Sequence, residues 1–409
     1  MATVNEDDEP LIVLFQAPTK ENGMLIVADT VVRKNEKHRV MRFFSHHSLG
    51  YFSDHIQSEM ILKQTTRGVV TVDPSQLVVA YHRMFFLAFL QHIKRKDGMA
   101  WIYQSLVRTL SINNCDWALR QVLLAPKPEP KSIRNYGDQT RKSKCKPQKK
   151  LGARGNILSA NGNSDLHVLV VGVGGGAFPA FLNYYLGHCQ QNLSMLQTKI
   201  PVSKQVEPAH SSSNPLNFGI LGVDIDPGVL AVCQKFFSNN SGERLRYVVA
   251  DGVACVKNFS QVDGGAFDFI FIDVNRQHSA LPSPTRIEPS FDAVAPATKS
   301  SAPTATAPAL RQQQSSEPCM SSLELDAPSE LFLSESFLMS ANKALKSAGL
   351  LVLNVLGPPR AMMETVRRCR KWFGTVELWQ VCAGVPKLIR PTEIGTGNLV
   401  VTCHQHNRY

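Results

Sequence analysis

Three carboxylates, Asp224, Asp251 and Asp273, each stand at the end of a short apolar run. A fourth run, in "HVLVVGVGGGAFPAFL" (167–182), ends on Gly172, Gly174 and Gly176 and then turns helical. Acids and glycines at successive strand ends can surround one small ligand, because open α/β sheets bind ligands outside the carboxyl ends of their strands. Glycine lets a backbone come close. A carboxylate can accept both hydroxyls of a ribose or an exocyclic amine. The chemistry this suggests is capture of a nucleoside-bearing cofactor.

Spacing narrows that cofactor. Gly172, Gly174 and Gly176 form G-x-G-x-G, not the G-x-G-x-x-G of dinucleotide sites, and no phosphate-cradling G-x-x-x-x-G-K-[ST] occurs. A ribose-binding acid is expected about 20 residues past the glycines. Asp224 lies 224 − 176 = 48 residues on, and removing a polar 28-residue insertion at 190–217 leaves 20. Asp226, just before Pro227, suits a helix N-cap. Asp251 could serve the adenine amine or merely cap the helix that follows. Asp268 reads as a turn residue leading its strand, and Asp273 ends that strand.

These residues need elements to hold them. Strands are expected at 167–172, 218–224, 245–250, 267–273, 349–355, 375–382 and 398–404, with helices near 176–187, 227–237, 252–259, 334–346 and 360–371. Alternating βα units predict an α/β fold, a doubly wound parallel sheet with helices on both faces. The last two strands lack a helix between them and predict an antiparallel hairpin at one edge. Ahead of this domain (165–409), residues 1–110 read as a small β-rich domain with a helix at 75–93 capped by Ser75. Residues 111–164 read as a helical connection and basic linker. In 278–330, Ser, Pro, Ala and Thr make 31 of 53 residues, and a disordered insertion is expected there, as at 190–217.

The net charge of +11 is local: residues 125–156 hold ten Lys/Arg against two acids. Nucleic acid would be reached only through that insert. The apolar fraction of 43% supports a full core. No 18-residue apolar run offers a membrane span, and "MATVNEDDEP" is too acidic for a secretory signal. Nine scattered cysteines without a C-x-x-C pair fit reduced thiols and a cytoplasmic location. No metal is expected.

With these residues in view, the chain resembles the class I S-adenosylmethionine-dependent methyltransferase superfamily, in its spermidine synthase-like branch. Within that branch it resembles the family that methylates lysine and the N-terminus of translation elongation factor 1-alpha. The motifs are "VLVVGVGGGAFPAFL", "GVDIDPGVL", "VVADG", "FDFIFIDV" and "FLSESFLMSANKALKSAGLLVLNVL", with "IQSEM" and "AYHRMFFLAFL" in the small domain. They cover about 40–110 and 165–405.

The resemblance implies a seven-stranded Rossmann-like sheet and S-adenosyl-L-methionine as cofactor. Gly172, Gly174 and Gly176 would meet its methionine part, Asp224 its ribose and Asp251 its adenine amine. Asp273 would lie near the amino group, Gln57 would close over the cofactor, and Ile225 and Gly252 would be further cofactor-binding residues. A protein substrate is implied, translation elongation factor 1-alpha among them, and a homodimer is allowed.

One segment departs from the aminopropyltransferase pattern. Its D-x-x-D becomes Asp273 followed three later by Arg276, a cation that would repel a protonated diamine. N-methylation of a protein, with Asp273 and Asn275 as candidates to hold and deprotonate the acceptor, is therefore expected over aminopropyl transfer. Tyr81, His82 and His278 are weaker candidates for the base. A different class of reading is a non-catalytic scaffold whose basic insert contacts RNA or ribosomes.

Overall fold

The computed structural model describes residues 12–19, 23–33, 36–46, 52–120, 165–198, 216–237, 241–274, 325–382 and 385–405, apart from 65, 67, 97, 114, 116 and 326. The basic insert 125–156, most of 278–330, Asn275, Arg276 and His278 lie outside the described residues.

Five strands open the chain: β1 (Ile12–Thr19), β2 (Gly23–Arg33), β3 (Glu36–His46), β4 (Phe52–Gln64) and β5 (Val70–Val72). They form one antiparallel sheet in chain order. Alternating apolar residues give it a buried face, with Leu25, Val27, Met41 and Met60 in one cluster.

Two helices follow, α1 (Ala80–Arg95) and α2 (Ala100–Ile112). The expected start of α1 at Ser75 is corrected. The helix begins five residues later, and the Ser75 hydroxyl instead donates to Asp73 Oδ1 at 2.7 Å. A short polar side chain bonded to a nearby carboxylate favours a turn over helix entry. α1 also does not stay with the small sheet, as the 1–110 grouping supposed. Its Phe85, Phe86, Phe89 and Ile93 pack against Val168, Phe269 and Phe271 of the large sheet. A helix apolar on so many sides needs a broad partner surface.

The large sheet comprises β6 (Leu166–Val171), β7 (Phe218–Asp224), β8 (Leu245–Val249), β9 (Phe267–Ile272), β10 (Leu345–Val355), β11 (Thr375–Cys382), β12 (Val385–Ile389) and β13 (Leu399–His404). Its order is β12-β11-β13-β10-β9-β6-β7-β8. β6 to β10 are parallel, and β13 runs antiparallel between β10 and β11. The expected antiparallel pairing of the last two predicted strands is present, β11 with β13. What differs is the edge, which is formed by β12, an unexpected strand paired with β11, while β13 sits inside the sheet. β13 is buried along nearly its whole length, which an inner strand requires.

Helices α3 (Ala177–Thr198), α4 (Pro227–Phe237), α5 (Gly252–Phe259), α6 (Glu335–Ala344) and α7 (Pro359–Trp372) complete the chain. α1, α2 and α3 cover one face of the large sheet. α5, α6 and α7 cover the other, around Ile270, Leu351 and Val401. The small sheet packs its apolar face on Ala177 and Ala180 of α3 and Val229 and Val232 of α4.

Two expected insertions are shorter at their borders. α3 continues to Thr198, through the start of 190–217. Cys189 is buried, and Leu193 and Leu196 extend its helical spacing among good helix formers. At the other insertion, described chain resumes at Leu325, where Ala327 is buried and bridges Leu356. Among the described residues, no helix is long and apolar enough to cross a membrane.

Candidate active site

The strand order reverses between β6 and β9, and the crevice opens at their carboxyl ends. Backbone bonds hold these ends level. Gly172 N–H donates to Val223 O at 2.9 Å and Asp273 N–H to Val171 O at 2.8 Å. Gly172, Gly174 and Gly176 all have positive φ (82°, 53° and 76°), the region that favours glycine. At Gly172 the demand is internal as well: a Cβ there would lie 2.1 Å from the Asp273 carbonyl oxygen. This glycine lets β6 and β9 close on each other.

Asp224 ties the glycine loop to β7. One carboxylate oxygen accepts from Val173 N–H and the other from Asp226 N–H, both at 3.0 Å. Burial pushes its pKa up to about 6, against the pull of backbone N–H groups of Asp226, Val173 and Gly174. Each oxygen keeps lone-pair capacity for further donors. Asp226 accepts from Gly228 N–H at 2.8 Å, which is the cap foreseen for α4. Asp251 does cap α5, accepting through Oδ1 from Val253 N–H at 2.7 Å, yet the residue is exposed at the cleft.

The cleft gathers Gly172, Gly174, Asp224, Ile225, Asp251, Gly252 and Asp273. Gly176, one residue before α3, is not among the residues that line it. Gln57 lies on β4 at a bulge between Ile56 and Ser58, and its side chain is outside the described residues. Its neighbour Ser58 is fully buried and accepts from Gly175 N–H at 2.8 Å, so the small sheet grips the glycine loop directly. Leu331 and Phe332, from a single 3₁₀ turn (Glu330–Leu333) at the end of the Ser/Pro-rich stretch, form an apolar wall.

Asp273 is the centre of a polar network. Its Oδ2 meets His82 Nε2 at 2.9 Å, and its Oδ1 accepts from Asn354 Nδ2 at 3.1 Å. Asn354 in turn accepts from Asn398 Nδ2 at 2.8 Å. Tyr81 also bonds to Asp273. Burial first, and then the charge of Asp273, raise its pKa well above the usual phenol value. Tyr81 is therefore a donor to the carboxylate, not a base. Asn354 and Asn398 escaped sequence reasoning, although a lone buried Asn in "GLLVLNVL" was a readable signal. Asp268 is corrected: it is no turn residue but a buried member of β9, paired with Lys96 at 2.9 Å and Lys346 at 2.8 Å.

Counted from β6, seven strands of the sheet follow the order 3-2-1-4-5-7-6 with the seventh reversed, and β12 is added outside. This is the Rossmann-like sheet of the methyltransferases.

No protein-family model and no curated protein matches the sequence. Solved structures do. Human methyltransferase-like protein 13 in complex with SAH is 17% identical, covering 60% of this chain and 73% of that one, with a TM-score of 0.34. A probable spermidine synthase from Corynebacterium glutamicum is 10% identical over 97% of this chain and 80% of that one, TM-score 0.43. A spermidine synthase in complex with the transition state analogue AdoDATO is 12% identical over 97% and 74%, TM-score 0.40. The strand order of this chain, not these likenesses, defines its fold.

Proposed function

We propose that this chain is an S-adenosylmethionine-dependent methyltransferase that methylates a nitrogen of a protein substrate. The observation that supports it best is the convergence of Asp224, Asp251, Asp273 and the left-handed glycines on one cleft.

The residues fit the cofactor. Asp224 is a half-buried carboxylate with capacity for ribose hydroxyls. Asp251 offers a carboxylate to an adenine amine, between the apolar walls of Ile225, Val253, Leu331 and Phe332. Gly174 brings main chain to the methionine end, and Asp273 offers a carboxylate to an ammonium. When bound, S-adenosylmethionine supplies a methyl group on a sulfonium, already a good leaving group.

The protein then has mainly to position a neutral nitrogen, so catalysis is by proximity. An amine acceptor must shed a proton first. Asp273, fixed by His82, Asn354 and Tyr81, is the acceptor for that proton or the anchor of the group that takes it. Asn275, two residues further on, is the second candidate. Translation elongation factor 1-alpha is the substrate suggested by the sequence motifs, and a cytoplasmic location fits it. Arg276, three residues past Asp273, speaks against a diamine acceptor and so against aminopropyl transfer.

Calorimetric titration with S-adenosylmethionine and with its decarboxylated form tests this. Tighter binding of the former, lost in Asp224→Ala, is expected. Preference for the decarboxylated form, with turnover of putrescine, would overturn the reading in favour of an aminopropyltransferase.

A further inference from the structure

The 3₁₀ turn at Glu330–Leu333 has two sides. Leu331 and Phe332 face the cofactor cleft, while Glu330 and Leu333 face a separate groove of about 840 Å³ along α7. Anything lying in this groove would reach the cleft across one turn of chain. The groove floor is apolar, built from Leu325, Leu333, Met363 and Val366. Met363 is 37% exposed.

The rim is cationic. Arg360, Arg367, Arg368 and Arg370 line it. Glu364 pairs with Arg367 at 2.7 Å and with Arg368 at 3.2 Å, and Glu330 also pairs with Arg368. Arg360 and Arg370 have no ion-pair partner among the described residues, and both are exposed. They are ten residues apart on one helix, about 15 Å along its axis. An extended chain rises about 3.3 Å per residue, so about five residues span that distance.

We propose that this groove docks an acidic, partly apolar segment of the protein substrate, with two carboxylates about five residues apart meeting Arg360 and Arg370. Arginine matches a carboxylate with two parallel hydrogen bonds. The apolar floor takes the side chains between. Nucleic acid fits less well, because no aromatic ring lines the groove for bases to stack on. The inference rests on the reading of the neighbouring cleft as a protein-methylating site, but its binding step can be measured alone.

The test uses the full chain and a fluorescein-labelled decapeptide carrying two glutamates five residues apart among leucines. Fluorescence anisotropy is read for the wild type, for Arg360→Glu/Arg370→Glu and for the milder Arg360→Gln/Arg370→Gln. Charge reversal is expected to weaken peptide binding at least tenfold and the glutamine pair less. Replacing both peptide glutamates by glutamine should weaken it as well, and affinity for S-adenosylmethionine should be unchanged in both variants. Peptide binding that ignores the two arginines would overturn the proposal. So would binding of a 12-nucleotide RNA that depends on them while the peptide fails to bind. Arginine-dependent peptide binding in a protein that binds no S-adenosylmethionine would sustain the groove and refute the methyltransferase reading.

Discussion

His82 and Asp273 meet at 2.9 Å across 191 residues of sequence, joining the first turn of α1 to the end of β9. The histidine is 3% exposed and its ring stacks on Phe178. It holds one carboxylate oxygen while Asn354 holds the other, so Asp273 has little freedom to rotate.

His82 is therefore a positioning residue for Asp273. His82→Ala should lower kcat by about 10- to 100-fold, the scale of loss that follows a misplacement of about 1 Å. His82→Gln keeps a donor and should recover part of it. Affinity for S-adenosylmethionine should change less than kcat in both. Equal losses in binding and kcat, measured by titration and steady-state kinetics, would mean that His82 supports only the fold.

Asp224 predicts a pH dependence. Its carboxylate is held up at about 6 by burial, and ribose hydroxyls need the charged form as acceptor. Affinity should be flat at neutral pH and should fall below about pH 6, by up to about tenfold per unit. The same shift acts on stability with a definite sign. The folded state binds this proton more tightly than the unfolded chain. This group's contribution is present below the ordinary carboxylate value near 3.8 and is lost as pH rises through about 6. Calorimetry across pH 5 to 8 reads the first effect, and denaturant midpoints across pH 4 to 7 read the second.

Gly175 and Ser58 form the joint between the two sheets. A Cβ on Gly175 would lie 2.7 Å from Ser58 Cβ. Gly175→Ala should cost about 1–3 kcal/mol and weaken cofactor binding. Ser58→Gly removes both the clashing carbon and the hydroxyl that accepts from Gly175 N–H. The double variant should be more stable than the sum of the two single changes. Strict additivity in chemical denaturation would contradict the contact.

What could be read in advance, and what could not, divides along local and distant physics. β7 and helices α4 and α5 fall where apolar periodicity, Asp226 before Pro227, and Asp251 before Gly252 put them. These signals sit within a few residues. The partners of Asp273 were not legible, because His82 comes from α1 and Asn354 from β10, both far from it in sequence. Nor was the place of β13. Strand order is set by which buried faces match, and β11 and β13 read alike as short apolar runs. α3 was cut short because its polar residues past Cys189 masked a helical spacing that continues.

Asp268 anchors the opposite end of β9. Burial alone would raise its pKa, but Lys96, Lys346 and the His167 N–H outweigh it and hold the carboxyl below its usual range. A depressed carboxylate contributes stability above the unfolded value near 3.8 and loses it as pH falls through the folded one. Asp268→Asn leaves two lysines facing a neutral group and should destabilise by about 3 kcal/mol. Thermal or urea unfolding at pH 7 reads this, and the deficit should shrink toward pH 3.

Methyl transfer to a protein can be read directly. The most direct measurement incubates the purified chain with methyl-tritiated S-adenosylmethionine and a eukaryotic cell extract, then resolves the products on a gel. A discrete labelled protein band, absent with Asp224→Ala, is the predicted result, and mass spectrometry of that band would identify the modified atom. No labelled protein, from a chain that binds the cofactor with Asp224 intact, would contradict it.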